Sequence, residues 1–352
     1  MLRATYLPAL PAPEPAMKAS PVMLAVLSAL LPAIGSAAST PAKPAPSYTV
    51  QQRYALGGEG GWDYLSLDPT THRIFIARND RVMVVDANTG KLTGEIAGMQ
   101  HAHGVALATA RRRGYVSNGK GDNVSVIDLD ALKVVGQIPV SGKNPDAIVF
   151  DDAGGHVLTM NGHSNNISVI DPAAGKELTT IALSGKPEFA VTDGKGNLYV
   201  NLEDTSQLVH VDLKAGKVAH TWPLAPCDSP SGLAFDDANQ RLFSVCDNQL
   251  MVVTDARDGH QVAKLAIGKG PDAAAFDPQT KQVFSSNGEG TLTVVHQDDA
   301  DHYTVAANAP TQKGARTMAL DAQQHRVYLV AANPAAKGAP VTGFTLLVAG
   351  SH

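Results

Sequence analysis

The 42-residue stretch NPDAIVFDDAGGHVLTMNGHSNNISVIDPAAGKELTTIALSG (Asn144–Gly185) holds four apolar runs, NPDAIVF, HVLTMN, NISVID and KELTTIAL, with turn-forming residues between each pair. Runs of this length, rich in Val, Ile and Thr and bounded by Gly, Asn and Asp, read as short strands. The stretch therefore predicts one four-stranded antiparallel unit, whose strands are called inner, second, third and outer. The unit recurs. VMVVD (Asp86), VSVID (Asp128), ISVID (Asp171), LVHVD (Asp212) and MVVTD (Asp255) are followed by LTVVH, with His296 in the aspartate's place, at steps of 42, 43, 41, 43 and 41 residues. FTLLVA (Phe344–Ala349) is a seventh copy, after an insertion around Asn333–Gly343.

A repeat of ~40–45 residues is the length of a propeller blade. The expected fold is all-β, a seven-bladed β-propeller of four-stranded blades. The seventh unit reaches His352 without an outer strand, while YTVQQRYAL (Tyr48–Leu56) belongs to no unit. The N-terminal strand is therefore expected to join the last blade and close the ring, which leaves no open sheet edge. The segment YVSNGKGDNVSVIDLDALKVVGQIPVSGKNPDAIVF (Tyr115–Phe150) resembles the YVTN repeat of the YncE-like β-propeller family, departing from the signature tetrapeptide at Ser117. The pattern covers all seven units, more loosely in the first, sixth and seventh. The resemblance implies an exported seven-bladed propeller and little about activity, since members of such repeat families serve varied, mostly binding roles and a fold alone fixes no chemistry.

Composition agrees with many short strands: 32 Gly, 22 Pro, 44% hydrophobic and only 5% aromatic residues. Residues 1–38 read as a signal peptide with upstream residues. Lys18 precedes the apolar run Val22–Leu31, and Ser36, Ala37 and Ala38 offer a cleavage site, with either Met1 or Met17 as the start. Pro21 and Pro32 bracket a run shorter than the ~20 apolar residues that span a bilayer, so no transmembrane anchor is expected after cleavage. STPAKPAPS (39–47) reads as a Pro-rich linker, and 48–352 as a single propeller domain. The expected location is periplasmic or secreted. The mature chain keeps 26 basic and 32 acidic residues, a formal −6, so nucleic acid is not an expected partner.

Antiparallel blades place the entry to the inner strand and the turn between second and third strands on one face. The aspartates that end inner strands (Asp68, Asp151, Asp236, Asp277, Asp321) and third strands lie on the opposite face, where Asp closes turns on backbone amides. The entry face differs, because a polar residue begins every inner strand: Asp63, His103, Asp146, Glu188, Ser231, Asp272 and Arg316. A closed ring brings these seven together around the channel mouth. A second set, Arg78, Asn118, Asn161 and Asn287 at second-strand ends, with Glu203 beside Leu202, is expected near the same mouth. Each Asn there is read either as a turn residue or as a ligand contact. Cys227 and Cys246 fall on that face of blade five, so they are expected to form a disulfide if their Cα atoms lie within ~7 Å.

Several carboxylates converging on one mouth repel one another and recruit a cation. His103 between Asp63 and Asp146 can hold a divalent metal, with His101 as a further ligand, or serve as a neutral base. Arg316 and Lys186 can instead neutralise the ring and make it structural. Trp62, Tyr64 and Phe189 offer aromatic walls or packing between blades. No His-Glu-x-x-His, phosphate loop or Gly-x-Ser-x-Gly elbow is present, although GGEGGWDY (Gly57–Tyr64) and SPSGLAF (Ser229–Phe235) resemble the last two superficially. Two readings follow. The first is a binding protein for a small polar or cationic ligand or a protein segment, expected to be a monomer. The second is a metal-assisted hydrolase or lyase of the lactonase kind, with His103 as the candidate catalytic base or ligand.

Overall fold

A computed structural model describes residues 48–333 and 342–351. The signal and linker segments, the choice of start and most of the insertion lie outside these residues. Within them the strands form seven antiparallel sheets of four, each in simple up-and-down order. The third blade is Pro145–Asp151, His156–Asn161, Asn166–Asp171 and Lys176–Ala182, the four runs from which the repeat was read. The seventh sheet orders Met318–Asp321, Arg326–Ala331, Thr345–Ser351 and, outermost, Tyr48–Ala55. Closure is thus by the N-terminal strand, paired Tyr48 to Ser351 through Ala55 to Thr345. Tyr48 also bonds Gln282 of blade six and sets its ring edge-on to Phe284 at 5.3 Å, so the clasp reaches into the neighbouring blade.

Burial explains why strand patterns differ within a blade. Second and third strands are covered on both faces by adjacent blades and read as near-continuous apolar runs, such as Arg73–Arg78 and Asn197–Leu202. Outer strands, such as Lys133–Pro139, alternate exposed and half-buried positions at the rim. The core is correspondingly divided into layers between blades. Phe243 and Val253 of blade five, for example, pack with Val283 and Val295 of blade six. Burying such side chains contributes roughly 1.5–3 kcal/mol each, and each layer recurs around the ring.

The far face carries the turn aspartates as read. Asp68, Asp151, Asp236, Asp277 and Asp321 accept backbone amides two or three residues on, at 2.9–3.0 Å in the shortest cases. Four of them also take a donor from the next blade: Arg112 on Asp68, Thr192 on Asp151, Gln297 on Asp236 and His325 on Asp277. These carboxylates fasten blades together. Cys227 and Cys246 form a disulfide within blade five, with Cα atoms 5.5 Å apart.

Candidate functional site

The mouth residues owe their aim to one repeated backbone irregularity. Pro145, Pro187, Pro230 and Pro271 pair with the last residues of their second strands, and the register then slips at the next residue. Ala102 does the same in blade two. Asp146, Glu188, Ser231, Asp272 and His103 therefore sit in β-bulges, which re-aim a side chain that would otherwise face a blade. Proline suits the position because it has no amide to place in the ladder. Asp63 and Arg316 precede the shorter inner strands Leu65–Asp68 and Met318–Asp321.

Neighbouring blades then pin the mouth backbone. Ser117 Oγ donates to Asp146 O at 2.5 Å, Asn201 Nδ2 to Ser231 O at 2.9 Å, Ser231 Oγ to Pro271 O at 2.9 Å and Thr317 Oγ1 to Asp63 O at 3.0 Å. Ser286 Oγ donates likewise to Arg316 O. Each bond crosses from one blade to the next, so the scaffold holds the mouth backbone independently of the charged side chains it presents.

All seven first-ring residues line one cavity of about 330 Å³, with Glu203, Ser229 and Asp247 at its edge. The rings of Tyr64 and Phe189 meet at 4.9 Å, and Tyr64 donates its hydroxyl to Asp272 O at 3.2 Å. Tyr64 lines both the mouth and a neighbouring cavity of about 80 Å³, whereas Phe189 lines only the smaller one. Trp62 packs on Phe344 at 5.5 Å between blades and does not line the mouth.

His103 Nδ1 lies 2.7 Å from Asp63 Oδ2 and 3.4 Å from Asp146 Oδ1. A carboxylate only accepts, so Nδ1 carries the proton of the shorter bond. Nε2 is buried and has no partner. Arg316 Nε pairs with Asp272 at 3.0 Å, and the Lys186 ammonium is shared between Glu188, at 2.9 Å, and Glu203. Burial alone favours a neutral His103, but the Asp63 bond and the charges of Asp146, Asp63 and Glu188 outweigh it and raise its pKa. Burial, with Asp63 adding repulsion, pushes Asp146 up to about 6 against the pull of His103. Burial pushes Asp272 up to about 7, against Arg316. Burial and then the charge of Asp146 push Glu188 up to about 8, against the pull of Lys186, which it shares with Glu203. The mouth thus holds carboxyl groups in a setting that disfavours their full ionisation.

The second set is placed elsewhere. Asn118, Asn161 and Asn287 are fully buried and staple their own hairpins, each Nδ2 bonding a side chain five or four residues on and another seven or six on. Of the two uses read for these Asn residues, this is the turn role. Arg78 is also fully buried. Its guanidinium bonds the carbonyls of Glu59, Gly60 and Gly61 at 2.8–3.0 Å and lies 3.8 Å from the Phe344 ring, and burial lowers its pKa to about 10. It clamps the Gly57–Gly61 loop to the closing blade. Glu203 alone of this set reaches the mouth.

His101 sits at φ 65° with Nδ1 2.9 Å from Asn79 Oδ1, its ring edge-on to His103 at 4.7 Å. Burial and the nearby charges of His103 and Lys120 lower its pKa. It lines a neighbouring groove of about 760 Å³ instead of the mouth. That groove, with Lys120, Lys143 and His163, escaped the sequence reading because hairpin tips carry no periodicity. Asp247 was also missed, although it follows Cys246 at a second-strand end as Glu203 follows Leu202.

No family model matches the chain, and no curated protein matches it. Among solved structures it is similar to a chain of Kuenenia stuttgartiensis hydrazine synthase, with a TM-score of 0.70 and 19% identity over 77% of this chain and 92% of that one. It is also similar to a chain of a mitotic checkpoint complex, with a TM-score of 0.71 and 13% identity over 93% of this chain and 98% of the other. At these identities the likeness shows the propeller fold alone.

Proposed function

We propose that the protein binds a small cationic ligand at the channel mouth. One observation carries this reading: six carboxyl groups (Asp63, Asp146, Glu188, Glu203, Asp247, Asp272) line one water-accessible cavity whose opposing cations are Arg316, Lys186 and His103. A cation entering that cavity relieves repulsion that the apo protein meets by holding protons. The ring of Tyr64, the one aromatic residue lining the mouth among the described residues, favours an organic ammonium over a hydrated ion. The YVTN-like repeat and the signal-like N-terminal sequence support an exported, periplasmic or secreted role, with residues 1–38 removed and 48–352 acting as one domain. The disulfide is compatible with that location, and no helix among the described residues is long and apolar enough to cross a membrane. A closed ring needs no partner to cover an edge, which supports a monomer.

A second reading, metal-assisted hydrolysis or elimination, is favoured by the ligand atoms of Asp63, His103 and Asp146, which lie within 4.8 Å of one another. A divalent ion there would use Nδ1 and two carboxylates, displacing the proton that now joins them. Calorimetric titration of wild type, Asp63→Asn and Asp146→Asn with ethylammonium, tetramethylammonium, Mg²⁺ and Zn²⁺ tests both readings. One-to-one ammonium binding, weakened in both variants, supports the first. Tight, stoichiometric Zn²⁺ or Mg²⁺ binding lost in His103→Ala supports the second. No binding of any of the four ions ends both.

A further inference from the structure

The mouth and the adjoining groove share one wall, the imidazole of His103. Its Nδ1 faces the acids, whereas Nε2 lies on the side of Gly119, where an added Cβ would come within 2.6 Å of it. The charge reverses across that ring. In the groove the single carboxylate, Asp122, is already paired with Lys143 at 2.9 Å and accepts the Asn144 amide at 3.0 Å. Lys120 has no ion-pair partner among the described residues, and His163 is exposed beside it along the same groove. The groove therefore presents the uncompensated positive charge of Lys120 next to a cavity of the opposite sign.

We infer that the ligand is a zwitterion, an amino carboxylate whose ammonium enters the acidic mouth while its carboxylate lies in the groove against Lys120. This rests on the cation-site reading above and narrows it to a substrate class. Two opposed charges on one ligand match the polarity across His103, whereas a diamine would place its second charge against Lys120 and a simple amine would leave the groove unused. An exposed lysine pairing with a carboxylate in a partly enclosed groove changes affinity by about tenfold.

The test is calorimetric titration of the folded chain with glycine, γ-aminobutyrate, ε-aminohexanoate, butylamine and putrescine. The expected result is that affinity passes through a maximum along the amino-acid series. The best of them should exceed butylamine about tenfold, and that excess should vanish in Lys120→Gln with butylamine binding unchanged. Equal affinity for amine and amino acid, putrescine binding as tightly as the best amino acid, or an equal loss for both ligands in Lys120→Gln would overturn the inference while leaving the cation site standing. Absence of binding by every amine, butylamine included, would remove the cation-site reading and this inference with it. The variant lies on an exposed hairpin tip, so the fold is not at stake.

Discussion

Replacing Glu188 with Gln should make the protein more stable, but only where the wild-type carboxyl is forced to ionise. Glu188 is held near pKa 8 in the folded chain against 4.5 ordinarily, by burial and by Asp146. Between those values the folded protein keeps a proton that the unfolded chain releases. Its stabilising contribution is therefore complete below pH 4.5 and lost as pH rises through 8. At about 1.4 kcal/mol per pH unit the upper limit of that loss is about 5 kcal/mol. Neighbouring acids and Lys186 readjust as Glu188 ionises, so about 2 kcal/mol is the expected size. The substituted amide imitates the protonated acid and cannot ionise. Urea unfolding at pH 5 should give wild type and Glu188→Gln within about 0.5 kcal/mol, since Lys186 retains Glu203. At pH 9 the variant should be more stable by about 2 kcal/mol, or roughly 4 °C in Tm. A constant difference at both pH values, or a variant that is weaker at pH 9, would refute the reasoning.

The same carboxyl groups set a pH dependence on binding. Asp146, Asp272 and Glu188 lose protons as pH rises through about 6, 7 and 8, and ethylammonium affinity should rise about tenfold or more between pH 5 and pH 9. A fall over that range in calorimetric titrations would contradict the assignment. Gly119→Ala should displace His103 and Asn144, since the new Cβ would lie 2.6 Å and 2.7 Å from their side-chain atoms. A loss of about 1–3 kcal/mol in urea unfolding, with weaker ethylammonium binding, is expected. Reducing Cys227–Cys246, which closes a loop of 19 residues' separation, should cost about 3 kcal/mol without abolishing the fold. Deleting Tyr48–Ala55 should open the seventh blade and cause concentration-dependent association through the bared Thr345–Ser351 edge, read by light scattering.

The fold was legible because its period is set by burial. Every blade must cover both faces of its second and third strands, and that demand repeats the apolar runs at a near-constant step. Even the circular closure followed from the leftover strand at Tyr48. The first ring was legible for a related reason, since each mouth residue heads an inner strand, in four blades directly after proline. The last residues of the second strands, Asn118, Asn161 and Asn287, turn back on their own hairpins, whereas Glu203 and Asp247, one place further on in their repeats, face the cavity. The Asn side chains are held there by local partners such as Ser125 and Ser168, which the repeat period alone does not reveal. The burial of Arg78 left no mark in the sequence. A buried guanidinium held only by carbonyls, a sulfur and a ring leaves no acidic partner in the sequence to mark it as structural.

The central claim is that the mouth takes a cation in exchange for protons, and isothermal titration of ethylammonium into wild type at pH 7, in two buffers of different ionisation enthalpy, tests it most directly. One-to-one binding whose apparent heat differs between the buffers, corresponding to release of a fraction of a proton per ligand, is the predicted result. Binding with identical heat in both buffers, or no binding, would contradict it.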